Sequence, residues 1–433
     1  MLRLFCILGK IKLYLFIIHQ LLIALSFKQG KILNDPVHGF IKIPQGLIFE
    51  LIEHPYFQRL RRIRQLGLTD FVYPGALHTR FHHALGVMHL MGVALDTLQA
   101  KGHEITDEER EAAQIAALLH DIGHSPLSHA LESTILQGVH HERLSLLMME
   151  KLNEEFQGAL SVAIQIFTNQ YPKRFLFQLV SSQLDVDRLD YLQRDCFFTG
   201  VSEGAIGGDR ILKMLDVYEN NLVIEEKGIY SVENFLTARR LMYWQVYLHK
   251  TTISTEQMIV QAILRAKYLA QHGETIFASP SLGLFMNQEV KLEDFKENKE
   301  YLEAFAQLDD YDIWGAMKIW QHHKDTILSN ICKMILDRKL FKIILSAENM
   351  SPELIQEKKN QIIENYHIPE KDVDYFVISG TTKNMAYQEN SNPILILTKK
   401  KGILDISEAS DLPNIKALTK IVKKYYLCFA QRL

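Results

Sequence analysis

Thr106–His129 reads TDEEREAAQIAALLHDIGHSPLSH, and the way this stretch stops being a helix decides how the chain is read. Thr106 and Glu109 have the spacing of a capping box, and Ala112, Ala113, Ala116, Ala117, Leu119 and His120 follow at helical intervals. The helix therefore ends on His120-Asp121. Ser125-Pro126 starts a further helix, so Asp121 to Ser125 is a tight corner in which Gly123 permits the turn. Neighbours in mid-helix diverge by about 100° and could not serve one site. At an uncoiling helix end they can.

Ten of the 18 histidines fall between His78 and His141, so the enrichment is local. His83, His120, Asp121 and Asp187 form the order His, His-Asp, Asp. Imidazole suits Mn, Fe, Co, Ni or Zn, and carboxylate adds charge, so two His and two Asp bind one first-row divalent ion and leave positions open. Water on such an ion has a lowered pKa, and the ion also pulls on a phosphoryl oxygen. A histidine alone on an apolar helix carries no such meaning. His89, His103, His249 and His272 are read as core or rim residues.

The chain has 433 residues, 47% hydrophobic and 23% charged, enough for one large domain or two to three ordinary ones. A formal net charge of −3 argues against a nucleic-acid partner without excluding one, although Arg59, Arg61, Arg62 and Arg64 make a local positive run that could meet phosphates or form a solvated helix face. Cys6, Cys196, Cys332 and Cys428 show no paired spacing, which fits a reducing cytoplasm. Residues 1–27 stand apart. Leu13 to Phe27 is apolar but for His19, Gln20 and Ser26, and follows Arg3, Lys10 and Lys12; it reads as an over-extended start, a signal or anchor, or a buried helix. It is shorter than the ~20 residues a spanning helix needs, so no membrane association is expected.

Lys31 to Ile43 has the look of a strand and turn. Helices are predicted over Tyr56 to Gln65, Phe81 to Lys101, Asp187 to Cys196 and, as one long element, Val232 to Ala270. Leu222 to Ile224 and Ile229 to Ser231 are predicted to form a hairpin about Lys227-Gly228. Leu292 to Leu345 reads as helical. Beyond it Tyr375 to Ser379 and Pro393 to Thr398 are β-rich, with a helix near Leu412 to Phe429. The expected fold is mainly α: a helical core with a short β-hairpin and a small C-terminal α+β domain. The expected boundaries are an extension 1–27, a domain 28–270, a helical scaffold 271–365 and the α+β end 366–433.

Arg80-Phe81-His82-His83, His120 through His129, and Asp185-Val186-Asp187-Arg188-Leu189-Asp190-Tyr191 closely resemble the HD superfamily of phosphohydrolases. Within it they are similar to the deoxynucleoside triphosphate triphosphohydrolase branch, which includes bacterial dGTPase-like enzymes and the vertebrate enzymes with SAM and HD domains. The likeness extends through Asn34-Asp35-Pro36-Val37-His38-Gly39, Phe57-Gln58-Arg59-Leu60-Arg61 and Arg194-Asp195-Cys196 and covers roughly residues 30 to 270.

The resemblance implies that His83, His120, Asp121 and Asp187 are metal ligands. It places His124, His129 and His141 around the α-phosphate, with His129 as proton donor to the leaving 5′ oxygen and Glu132 orienting it. Arg80 and Arg188 would contact phosphate oxygens, the latter at a position where the vertebrate relatives carry lysine. Gln65, Tyr191, Asp195, Arg239 and Tyr247 would contact the nucleoside, and Lys31, Asn34, Gln58 and Arg61 an activating nucleotide. The implied reaction is metal-activated water attack on the α-phosphate of a (deoxy)nucleoside triphosphate, with dGTP a candidate, releasing deoxynucleoside and triphosphate. Magnesium would accompany the nucleotide, and a homo-oligomer, a tetramer by family likeness, is expected. The alternatives are another HD nucleotidase or phosphodiesterase, or a nucleotide sensor with weak turnover.

Overall fold

The computed structural model describes residues 30–128, 134–136, 138–384, 387, 392–400 and 402–431. The extension 1–27, His129 and Glu132 lie outside them. The chain divides into two units, Met1–His54 and Pro55–Leu433.

In the first unit, where the sequence predicts a strand and turn, β1 (Lys31–Asp35) and β2 (Gly39–Ile43) form an antiparallel hairpin, with Lys31 opposite Ile43. Asp35 builds the turn: its Oδ1 accepts the amides of Val37 and His38, each at 2.9 Å. Gly39, at φ +72°, closes it. Helix α1 (Leu47–Glu53) buries Ile48, Leu51 and Ile52.

The second unit is mainly helical. Its axis is α2 (Arg80–Ala100), buried on nearly every side through Ala84, Leu85, Val87, Met88, Leu90, Met91, Ala94, Leu95 and Leu98. A helix apolar all round belongs inside a core. Thr79 caps it, its amide meeting His82 Nδ1 at 3.2 Å. Helix α3 (Asp107–Leu119) starts on the expected capping box, Glu109 N to Thr106 Oγ1 at 3.2 Å and Thr106 N to Glu109 Oε2 at 2.9 Å, a device worth about 1 kcal/mol. Its alanines 112, 113, 116 and 117 are buried, and α3 packs against α2. Helix α4 (His141–Glu155) follows the His-Asp corner. Helix α5 (Val186–Thr199) is capped by Asp185, whose Oδ1 accepts Arg188 N at 2.7 Å, and ends at Gly200 with φ +73°.

Several elements depart from the sequence reading. Pro126–Ser128 is a turn, not the first turn of a helix. Tyr56 to Gln65 is not one helix either: a single α-turn, Pro55–Gln58, tightens to a 3₁₀ turn, Arg59–Arg62, and Arg64 then pairs with Thr79 as an isolated bridge. The hairpin lies earlier than predicted, between β3 (Leu215–Tyr218) and β4 (Asn221–Glu225), because Glu219-Asn220 takes the left-handed turn. Ile229 instead opens α6 (Ile229–Met242). The predicted long helix is broken: α6 passes into a π turn, Tyr243–Tyr247, before α7 (Lys250–Gln271) restarts on His249.

After the helical stretch, which includes α8 (Asp310–Trp320), Lys342–Ser346 is a strand, β5. It pairs with β9 (Val422–Phe429), which also pairs with β6 (Val377–Asn384). Of the helix expected near Leu412 to Phe429 only Pro413–Ala417 is helical, and Val422–Phe429 is instead a central strand. Tyr425, Tyr426, Leu427 and Phe429 suit a pleated surface, and ladders on both edges outweigh any helical tendency of the flanking lysines. Strand β7 (Leu395–Thr398) joins β4 in parallel, Ile224 opposite Ile396, and pairs with β8 (Gly402–Asp405). The chain is mainly α with a C-terminal α+β region, as the pattern predicts. Among the described residues no helix is long and apolar enough to cross a membrane.

Candidate metal and phosphate site

Three helix ends meet at one point. His83 lies in the first turn of α2, His120 caps the C-terminus of α3, and Asp187 lies in the first turn of α5. His83 Nε2 is 3.1 Å and His120 Nε2 3.5 Å from Asp187 Oδ1. Asp121 closes the group, its Oδ1 3.4 Å from His120 Nε2 and its Oδ2 3.7 Å from His83 Nε2. The structure brings the four sequence-predicted ligands together.

The far side of each imidazole decides what the near side offers. His83 Nδ1 meets Asp190 Oδ2 at 2.7 Å, and His120 Nδ1 meets Ala117 O at 2.7 Å. An acceptor on Nδ1 keeps the proton there and turns the Nε2 lone pair inward. Both Nε2 atoms are buried, and neither has a partner in hydrogen-bond geometry. A buried polar atom without a partner is costly, and a cation between these nitrogens and carboxylates satisfies them at once. One atom from each of His83, His120 and Asp187 lies within 4.8 Å of the others, so the residues fit a divalent ion.

Charge supports this. Burial alone would lower the His83 imidazole, but Asp187 and Asp190 outweigh it and lift it to about 10. His120 is raised in the same sense, Asp121 and Asp187 prevailing over burial. Asp187 is held below its ordinary value by His120 and His83 against the opposing effect of burial. The cluster draws positive charge, and a metal ion competes with the proton for it.

Beside this cluster stand the groups expected around phosphate. Arg80 pairs with Asp121 Oδ2 through Nη1 and donates to Ser128 Oγ through Nε at 3.1 Å and Nη2 at 2.9 Å. His124 and His141 stack with centroids 3.8 Å apart, and His124 Nε2 is 3.2 Å from Asp121 Oδ1. Burial and then the Arg80 charge push His124 well below its ordinary pKa. Gly123 allows the stacking: a Cβ there would stand 2.2 Å from Ser145 N and 2.5 Å from His141 O. Arg188 is engaged by the Asp185 carboxylate.

The residues expected to contact the nucleoside gather about the later turns of α5. Asp195 takes His78 Nε2 on Oδ1 at 2.7 Å and the Tyr247 hydroxyl on Oδ2 at 2.8 Å. Tyr191 and Tyr243 meet Tyr247 edge-on, at 6.1 and 5.1 Å, and the Arg239 guanidinium lies 5.8 Å from the Tyr243 ring. Gln65 joins through its backbone, N to His78 O at 3.0 Å, while its Oε1 is buried without a partner.

The arginine run is not a phosphate-facing or solvated helix face throughout. Arg59 is fully buried, donating to the carbonyls of Leu308, Ile122 and His124, and burial lowers it to about 9. Arg62 pairs with Asp309 and Arg64 with Asp70. Of the residues expected at an activating nucleotide, Arg61 donates to Gln58 Oε1 at 2.8 Å and lies 3.6 Å over Phe81, while Lys31 caps the Phe49 ring at 4.1 Å and Asn34 is exposed on β1.

Sequence reasoning assigned no role to Asp190, Ser128, His78 or Asp185. A signal existed for the first: Asp187 and Asp190, three apart at the start of α5, share a face and reach the two nitrogens of one imidazole. The partners of Arg80, Asp195 and Arg188 carry no comparable signal.

Residues 80–195 match the HD domain model and residues 206–276 that of the HD associated region. The chain is 32% identical over 397 residues to the uncharacterized protein YwfO of Bacillus subtilis, covering 89% of each. It is 32% identical over 291 residues to the deoxynucleoside triphosphate triphosphohydrolase SAMHD1 of Homo sapiens, covering 57% of this chain and 46% of that one. The crystal structure of a phosphohydrolase from Bacteroides thetaiotaomicron superposes with a TM-score of 0.90 at 54% identity, over 93% of this chain and 100% of that.

Proposed function

The chain belongs to the HD-domain phosphohydrolase family, and on that premise we propose that it hydrolyses a deoxynucleoside triphosphate, dGTP among the candidates, to deoxynucleoside and inorganic triphosphate. The observation that carries this reading is the layout of α5. Asp187, Tyr191 and Asp195 lie at helical spacing along one helix, so the metal-facing carboxylate and the hydroxyl-facing one are separated by about 12 Å of axis. The distance from the α-phosphorus to the sugar hydroxyls of a nucleotide is shorter, and metal coordination at one end with a hydrogen bond to Asp195 at the other makes up the rest.

His83, His120, Asp121 and Asp187 would hold one divalent transition ion, Mn, Fe, Ni, Co or Zn. When bound, such an ion supplies an activated water and polarises a phosphoryl oxygen. The chain does the rest. Arg80, with Ser128 and Asp121 fixing its plane, offers a planar fork to phosphate oxygens, and His124 and His141 line the same wall. Asp195, already accepting from His78 and Tyr247, keeps lone pairs for a sugar hydroxyl, and the Tyr191 edge crowds the 2′ position. His129, outside the described residues, is the proposed donor to O5′. Oxygen bonds to Pα, the Pα–O5′ bond breaks, and triphosphate leaves as one unit.

Assignment of Arg188, Arg239, Gln65 and Tyr247 to substrate, of Glu132 to orienting His129, and of Lys31, Asn34, Gln58 and Arg61 to an activating nucleotide belongs to the same reading. So do magnesium with the nucleotide, a homotetramer, a cytoplasmic site of action and the division into 28–270, 271–365 and 366–433. The test is metal-replete protein with Mn²⁺ and each dNTP, alone and with dGTP or GTP as second nucleotide, the products resolved by ion exchange. Deoxynucleoside plus triphosphate, lost in Asp187→Ala, supports the reading. Monophosphate and pyrophosphate would mark another HD nucleotidase, and binding without turnover a sensor.

A further inference from the structure

Leu127 and Ser128 are consecutive non-glycine residues at φ +53° and +55°, a left-handed pair that persists only where its surroundings hold it. One of those surroundings comes from far along the chain. Asp310, at the start of α8, is 4% exposed; its Oδ1 accepts Leu127 N at 2.7 Å and its Oδ2 accepts Arg64 N at 2.9 Å. Ser128 Oγ in turn donates to Arg64 O at 3.1 Å and accepts both arms of Arg80. The contact is reinforced on either side by Arg59 on Leu308 O and Arg62 on Asp309. Asp310 lies outside both matched family regions, residues 80–195 and 206–276.

We propose that Asp310 is a positioning residue of the phosphohydrolase site: by bridging the Arg64 and Leu127 amides it holds the left-handed turn that presents Ser128 to Arg80, and so fixes the guanidinium that reads substrate phosphate. Phosphate reading by Arg80 rests on the function proposed above; the clamp on the turn does not. A carboxylate is needed because both partners are donors. An asparagine amide would keep one acceptor and turn its NH₂ on the other N–H. Burial pushes Asp310 up to about 6, and the Leu127 and Arg64 amides oppose that shift by favouring its charged form.

The test compares Asp310→Asn and Ser128→Ala with wild type by dNTP kinetics, bound metal, and hydrogen exchange at the Leu127 amide. Asp310→Asn is expected to lose Leu127 protection and to lower kcat/KM at least tenfold, chiefly through KM, with bound metal unchanged. Ser128→Ala, which leaves the buried carboxylate untouched, is expected to reproduce the kinetic loss while Leu127 stays protected. Wild-type kinetics in Ser128→Ala, or wild-type protection in Asp310→Asn, overturns the inference. If wild type turns over no dNTP, that failure belongs to the proposed function, and the inference is then read from Leu127 exchange and from calorimetric binding of inorganic triphosphate, which both variants are expected to weaken tenfold. Equal binding by all three proteins overturns it.

Discussion

His83 and Asp190 meet at 2.7 Å, Nδ1 to Oδ2, with neither side chain in contact with water, and Arg194 holds the same carboxylate through Nε and Nη2, each at 2.9 Å. The carboxylate is thereby fixed as an acceptor, and the neutral His83 ring carries its proton on the side away from the candidate metal cluster. Asp190→Asn offers an NH₂ in its place, which favours the tautomer with the proton on Nε2. Metal affinity is expected to fall about 10- to 100-fold, as read by competition with a chromophoric chelator. Unchanged affinity would show that Asp190 does not set the tautomer.

Gly86 lies one turn beyond His83 and leaves the space that this carboxylate fills. A Cβ there would stand 1.9 Å from Asp190 Oδ1 and 2.4 Å from Arg194 Nη2, and neither group is free to swing away. Gly86→Ala is expected to destabilise the metal-free protein by about 1–3 kcal/mol or more. Urea unfolding checks it. Wild-type stability would mean that the ion pair relocates without cost.

Tyr247, at the end of the π turn, donates its hydroxyl to Asp195 Oδ2 at 2.8 Å. Tyr247→Phe keeps the ring against Tyr191 and Tyr243 and removes one donor to a carboxylate, a bond worth about 1.5–3 kcal/mol. The expected result is a 10- to 100-fold loss of kcat/KM for a dNTP with metal content intact. Loss of metal instead would place Tyr247 in the metal cluster rather than the sugar end.

Burial raises Glu256 on α7 to about 7. The folded protein thus holds this proton more tightly than the unfolded chain does. Its contribution is whole below the ordinary glutamate range near pH 4.5 and is lost as pH rises through 7. Glu256 keeps some solvent contact, which reduces the effect. Glu256→Gln is expected to match wild type near pH 4.5 and to exceed it by roughly 1–2 kcal/mol at pH 8. Parallel denaturation curves at both pH values would contradict this.

The sequence by itself determined the parts governed by local chemistry: the Thr106–Glu109 cap, the His-Asp corner at the end of α3, the Asp35 turn, and the four residues that converge on one point. Each depends on spacing within a turn or two of backbone or on a motif whose order is itself the signal. Tertiary structure decided the rest. It made Arg59 an internal strut, broke the helix at Tyr243–Tyr247, turned the C-terminal part of the last predicted helix into β9, and brought Asp310 to the turn before His129. None of these was legible, because a buried guanidinium, a central strand or a distant carboxylate is fixed by partners tens to hundreds of residues away. Pairing energies across such distances override local propensity and leave no trace in the local pattern.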